Sequence, residues 1–193
     1  TLRGAKVRSG DLFAKYINDT INRFGESVEV SFGSHHWPTW GNAEILDFWE
    51  GQRDTYRYIH DEVLRLANKG ETMLEIAEQL ELPESLASRF ANRGYYGSVS
   101  HNAKAQYQLY FGWFSGNPSE LHELPPVEEG RKFVEYAGGA DAVVEKARAD
   151  YEAGDYRWVA TALNHVVFAD PGNQEARDLL ADTLTQMGYQ AES

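Results

Sequence analysis

Two adjacent histidines, His35 and His36, lie in the run Gly33-Ser34-His35-His36-Trp37-Pro38-Thr39-Trp40-Gly41-Asn42. An imidazole on a short loop is placed as metal ligands and acid–base groups often are, and equally as a surface or hydrogen-bonded histidine is. A second cluster lies in Arg93-Gly94-Tyr95-Tyr96-Gly97-Ser98-Val99-Ser100-His101-Asn102, where two glycines flank two tyrosines. Ser98 or Ser100 can cap a following helix. Its first turns then present His101 and Asn102, with Lys104 and Tyr107 close by. Free N–H groups at such a helix start favour an anion, and a packed aromatic turn is the competing reading. A third candidate is the basic group Arg3, Lys6 and Arg8, either an anion contact or solvated charge.

The elements that must hold these residues follow from periodicity. Residues 28–32 alternate apolar and polar as a strand does, with Gly33 ending it and Pro38 and Gly41 keeping the next residues irregular. A helix from Gly10 to Phe24 carries Leu12, Tyr16, Ile17, Ile21 and Phe24 at helical spacing, and Gly25 stops it. A long helix over about residues 43–68 presents Ile45, Phe48, Trp49, Tyr56, Ile59, Val63, Leu64 and Leu66. His60 within it is read as a packing or hydrogen-bonded residue. Thr72 caps a helix over 73–80, and Pro83 heads another over 84–91. Glu75 to Pro83 resembles the first half of a helix-turn-helix. A further helix runs from about 100 to 114, and Leu124-Pro125-Pro126 marks a linker.

Past the linker the pattern becomes helical hairpins. Ala147 to Tyr156, then Ala160, Leu163 and Ala169-Asp170-Pro171-Gly172-Asn173, resemble a tetratricopeptide repeat and the first helix of another. Small Ala147 and Ala160 allow close helix approach, while Tyr151, Tyr156 and Leu163 fill the space between. So short an array needs a neighbour to pack on. His165 is read as structural.

Composition excludes several classes. The chain has 193 residues, 42% of them apolar, and a net charge of −12. That balance fits a globular protein and opposes nucleic-acid binding, which needs clustered Lys and Arg; the helix-turn-helix likeness fails on the same ground. No apolar run approaches the roughly 20 residues of a membrane-spanning helix, so an integral membrane protein is not expected. There are no cysteines, so any metal site must use His, Asp or Glu. A start at Thr1, without methionine or a signal-like stretch, suggests a processed product or a piece of a longer protein.

Taken together, several motifs are similar to those of bacterial alkylsulfatases, the zinc-dependent SDS hydrolases of the metallo-β-lactamase superfamily. They are Thr1-Leu2-Arg3-Gly4-Ala5-Lys6-Val7-Arg8, Ser34-His35-His36-Trp37-Pro38-Thr39-Trp40-Gly41, Tyr56-Arg57-Tyr58-Ile59-His60-Asp61, Leu64 to Asn68, Arg93 to Asn102, and Gly112-Trp113-Phe114 with Gly116-Asn117-Pro118. The resemblance implies a mainly α chain. Residues 1–42 would end a metallo-β-lactamase-like catalytic domain, and 43–193 would form a helical dimerisation domain, with tetratricopeptide-like hairpins over 139–193. The H-x-H-x-D-H metal-binding segment and the C-terminal sterol-carrier-like domain of such enzymes are absent.

The resemblance also implies roles. His35, with His36 as the fallback, would supply one ligand to a pair of Zn2+ ions in the intact enzyme. Arg8, His101, Asn102 and Tyr107 would contact the sulfate, and Tyr96 is a weaker candidate. The reaction implied is hydrolysis of an alkyl sulfate such as dodecyl sulfate to an alcohol and sulfate, by a homodimer that is periplasmic or secreted. The isolated piece would be inactive, since one histidine cannot hold two zinc ions. The alternative is a non-catalytic helical scaffold for protein–protein interaction. Primary or secondary substrate preference, and C–O or S–O cleavage, stay open at this level.

Overall fold

The computed structural model describes residues 6–191 and 193. The chain divides into two compact units between Gly116 and Asn117. This border falls inside the span 43–193 that the sequence suggests as one domain. The architecture is mainly α, as expected.

The first unit is built on α2, Asn42–Ala67, a 26-residue helix. Before it come α1, Gly10–Phe24, and two short strands, β1, Val30–Ser31, and β2, Thr39–Trp40. After it come α3, Met73–Gln79, a short α4, Glu84–Ala87, a 3-10 turn at Phe90–Asn92, and α5, Val99–Phe111. Ile59, Val63 and Leu66 of α2 fall on one face and pack with Ile76, Ala77 and Leu80 of the α3 segment and Ala103 and Tyr107 of α5. Fully burying each such aliphatic side chain stabilises the fold by about 1.5–3 kcal/mol. The start of α3 is fixed by a capping box: Thr72 Oγ1 accepts from the Glu75 N–H, and the Glu75 carboxylate accepts from the Thr72 N–H at 2.8 Å.

Three boundaries differ from the sequence reading. Thr39 and Trp40, expected to be irregular, pair antiparallel with Ser31 and Val30. Asn42 locks that hairpin in place by donating to the carbonyls of Gly25 (2.6 Å) and Val28 (3.1 Å). The helix expected over 84–91 stops at Ala87, since Arg89 turns to extended backbone before the 3-10 turn. The helix expected to reach 114 stops at Phe111, where Gly112 takes φ 78°.

A polar brace joins three helices of this unit. His60 is 7% exposed. Its Nδ1 lies 2.8 Å from Asp61 and its Nε2 lies 2.9 Å from the Tyr110 hydroxyl of α5. Arg57 donates to Asp61 (2.7 Å) and to Asp11 of α1 (2.9 Å). Both ring nitrogens of His60 thus have a polar partner, in keeping with the hydrogen-bonded role expected for it. Partial burial pushes the Asp61 carboxyl up, but hydrogen bonds from Arg57 and His60 outweigh it and hold the group below the usual carboxylate range.

The second unit contains α6, Pro126–Tyr136, α7, Ala140–Ala153, α8, Tyr156–Ala169, and α9, Gln174–Gln190. Helix α8 is its centre, and α6, α7 and α9 all pack on it. Val159, Ala162, Leu163 and Val166 form the inward stripe of α8 and meet Val143, Val144 and Ala147 of α7 and Ala176 and Leu179 of α9. Ala147 sits in the core as expected, whereas Ala160 is only half-buried. Tyr151 and Tyr156 meet edge to face across the Gly154 turn, centroids 5.2 Å apart. His165 stacks on Phe133 at 4.4 Å. Gly130 lets α6 approach α8 closely: a Cβ there would stand 2.5 Å from the His165 carbonyl oxygen and 3.2 Å from the Ala169 nitrogen. Among the described residues, no helix is long and apolar enough to cross a membrane.

Two measurements check this packing. Gly130→Ala should lower the unfolding free energy by about 1–2 kcal/mol, because backbone cannot yield as a side chain can. Gly188→Ala in α9 meets nothing within 4 Å and should raise it by up to about 1 kcal/mol. Equal effects in urea unfolding would contradict the α6–α8 contact. Because folding lowers the Asp61 pKa, its stabilisation is complete above the unfolded carboxylate value, near 4, and is lost as pH falls through the folded value. Asp61→Asn should therefore weaken the acid loss of stability seen in wild type. Glu62, lowered by its hydrogen bond to Arg65, leaves part of that loss in place. Superimposable stability–pH curves would contradict the brace.

Candidate functional site

The histidine pair lies in the loop of residues 32–38 that joins β1 to β2. Its base is held to α2 by the Trp49 indole N–H, which donates to Ser31 Oγ at 3.1 Å. The tip projects: His35 and His36 are exposed, as are Phe32 (78%) and Trp37 (81%). His36 has φ 75°, the left-handed region uncommon for residues other than glycine. The hairpin thus offers an accessible imidazole on a supported loop. Among the described residues no group of three or more His, Cys, Asp or Glu is arranged to hold a metal ion. One imidazole nitrogen fits one position of a zinc shell, so the other ligands of any such site would come from beyond these residues.

The second locus surrounds Tyr56 of α2. Burial pushes its phenol up, and the nearby positive charge of Arg8 works in the opposite direction. Tyr56 also lines a cleft of about 160 Å³ between α2 and residues 91–99, with Gln52, Asn92, Ser98 and Asn102 on its walls. Asn102 at the α5 start thus shares a cleft with Tyr56, and the Arg8 charge acts on the Tyr56 phenol. Trp49 and Tyr56 are seven residues apart on α2, about 10 Å along its axis, which separates the anchor of the histidine hairpin from this locus.

At the α5 start, Ser98 is the cap. Its Oγ accepts from the His101 N–H at 3.2 Å and lies 2.6 Å from His101 Nδ1. The cap thus engages the His101 backbone and ring, while Asn102 stays exposed at the cleft. Tyr107 is buried in the α2–α3–α5 core with its ring 4.8 Å from Phe111. Tyr96 is 84% exposed. Lys6 is exposed, and Arg3 lies outside the described residues.

Sequence reasoning passed over Gln106 and gave Tyr56 a place on an apolar face and in a family motif, without a role at the site. Gln106 is buried and bonds to the backbone at Arg8 and Gly10. Its signal was available: a polar residue beside Ala103 and Tyr107 on the inward side of a helix needs a partner.

Comparison with known proteins places this geometry. Residues 72–193 match the family model described as alkyl sulfatase dimerisation. The whole chain is 56% identical to a section making up 29% of a linear primary-alkylsulfatase of a Pseudomonas species. It is 51% identical, again over its full length, to a section making up 30% of an alkyl/aryl-sulfatase of Saccharomyces cerevisiae. The solved structure of the stereoselective inverting sec-alkylsulfatase Pisa1 from a Pseudomonas species superposes on the whole chain with a TM-score of 0.98 at 44% identity, using 30% of that protein. The chain therefore spans about three tenths of the length of these relatives. A family model covering most of the chain and a superposition covering all of it agree, and the chain belongs to the alkyl sulfatase dimerisation family.

Proposed function

We propose that this chain is the dimerisation-bearing section of an enzyme that hydrolyses alkyl sulfate esters to an alcohol and sulfate. The observation that carries the reading is the unbroken match, at 44% to 56% identity over the entire chain, to proteins named as alkylsulfatases. In this reading the intact protein is a homodimer, periplasmic or secreted, with the tetratricopeptide-like hairpins of α7 to α9 supporting the dimer.

The division of labour within the chain follows its chemistry. His35 donates one imidazole nitrogen to a two-zinc site, with His36 as the fallback. Zinc bound there supplies Lewis acidity and a nucleophile near neutral pH. Arg8 carries a planar guanidinium suited to two oxygens of a sulfate group at once. In support of this reading, the Arg8 charge acts on Tyr56, which lines the cleft with Asn102. The α5 start adds the positive end of a helix dipole. His101 and Asn102 complete the polar surroundings of the bound sulfate group. Tyr107, the further sulfate contact that the resemblance implies, is packed in the α2–α3–α5 core.

The experiment is metal analysis and dodecyl sulfate hydrolysis by the intact protein, wild type beside His35→Ala. Loss of about one zinc per chain, with at least a hundredfold loss of sulfate release, is expected if His35 is a ligand. Unchanged metal and rate would move the role to His36. A wild-type protein with neither metal nor hydrolysis would overturn the enzymatic reading in favour of a helical scaffold.

A further inference from the structure

One side chain ties the two candidate sulfate-contacting segments together. The Gln106 amide of α5 donates from Nε2 to the Arg8 carbonyl oxygen at 2.8 Å and accepts at Oε1 from the Gly10 N–H at 2.9 Å. Both ends of one primary amide are thus spent on backbone almost a hundred residues away. Gln106 is 8% exposed, so water does not compete strongly for either bond. The crossing is tight. A Cβ on Gly10 would stand 3.0 Å from the Tyr56 carbonyl oxygen and 3.2 Å from Gln106 Oε1. The start of α1, the middle of α2 and the second turn of α5 meet at this point. Between these two bonded residues, Ser9 caps α1 by accepting from the Leu12 N–H.

The consequence concerns Arg8. An arginine side chain has many rotamers, and its usefulness to an oxyanion depends on where its main chain is held. Arg8 itself lies before the first helix turn, outside any ladder that would fix it. Gln106 supplies that fixing from α5, and Asn102, four residues earlier, shares its helix face. We propose that Gln106 is a positioning residue for sulfate-ester recognition, holding the Arg8 main chain on α5 so that the guanidinium and the first turn of α5 serve the same oxyanion. Gln106 does not touch the substrate; it acts through Arg8. This rests on the alkylsulfatase reading above.

The test is steady-state dodecyl sulfate hydrolysis by the intact protein as wild type, Arg8→Ala, Gln106→Met and the double variant, each assayed well below its thermal midpoint. Gln106→Met keeps the volume and removes both hydrogen bonds. It should lower kcat/KM about tenfold, mainly through a raised KM, and the double variant should fall within about threefold of Arg8→Ala alone. Gln106→Glu keeps the acceptor for Gly10 but loses the donor to Arg8; should the Met variant fail to fold, it is expected to show the same raised KM. Multiplying losses in the double variant, or an unchanged KM on removing the amide, would overturn the positioning role alone. A wild-type protein that releases no sulfate would instead bring down the enzymatic reading, and this inference with it.

Discussion

Every helix and strand of the first unit meets α2, and the apolar stripe of that helix is the constraint on which the rest depends. Ile45 is fully buried near its start, and Ile59, Val63 and Leu66 are buried along its second half. Burial of this stripe fixes α3 and α5 on one side. Polar contacts then set direction where apolar packing alone would permit sliding. Asn42 and Trp49 hold the hairpin near the beginning of α2, and Arg57 and His60 tie its centre to α1 and α5. The functional candidates hang on these polar contacts rather than on the core. The histidine loop depends on the first pair, and the Arg8–α5 locus is framed by the second.

The second unit repeats the logic with one helix fewer to orient. Its stripe on α8 is apolar at every inward position, and close approach at Gly130 replaces the polar braces of the first unit. Such a module carries few candidate chemical groups. The candidate site residues all lie in the first unit.

Much of this was legible in the sequence because it is local. Helical periodicity located α1 and α2 closely, Thr72 with Glu75 announced a capped helix start, and the change of pattern past Pro125 marked the hairpins of the second unit. What the sequence hid is non-local. The pairing of Thr39 with Ser31 depends on a partner across a loop, so Pro38 and Gly41 suggested irregularity instead. The alternation at Val28, Val30 and Phe32 suggested a strand over 28–32, of which only Val30–Ser31 pairs, and Val30 and Phe32 are exposed, so the pattern said nothing of what covers them. Gln106 bonds to residues almost a hundred positions earlier, beyond any window of periodicity. For the candidate site, motif resemblance named Arg8, His101 and Asn102. The cleft that Asn102 shares with Tyr56 and the Gln106 link from α5 to the Arg8 backbone emerge only from the packing of α1 and α5 on α2.

The central claim is that Arg8 and the α5 start serve one sulfate group. A crystal structure of the intact protein with a non-hydrolysable alkyl sulfonate tests it most directly. The sulfonate oxygens are expected within hydrogen-bond distance of the Arg8 guanidinium and of His101 or Asn102, with the Gln106 amide still joined to the Arg8 and Gly10 backbone. A sulfonate bound elsewhere, with the Arg8 side chain in solvent, would contradict it.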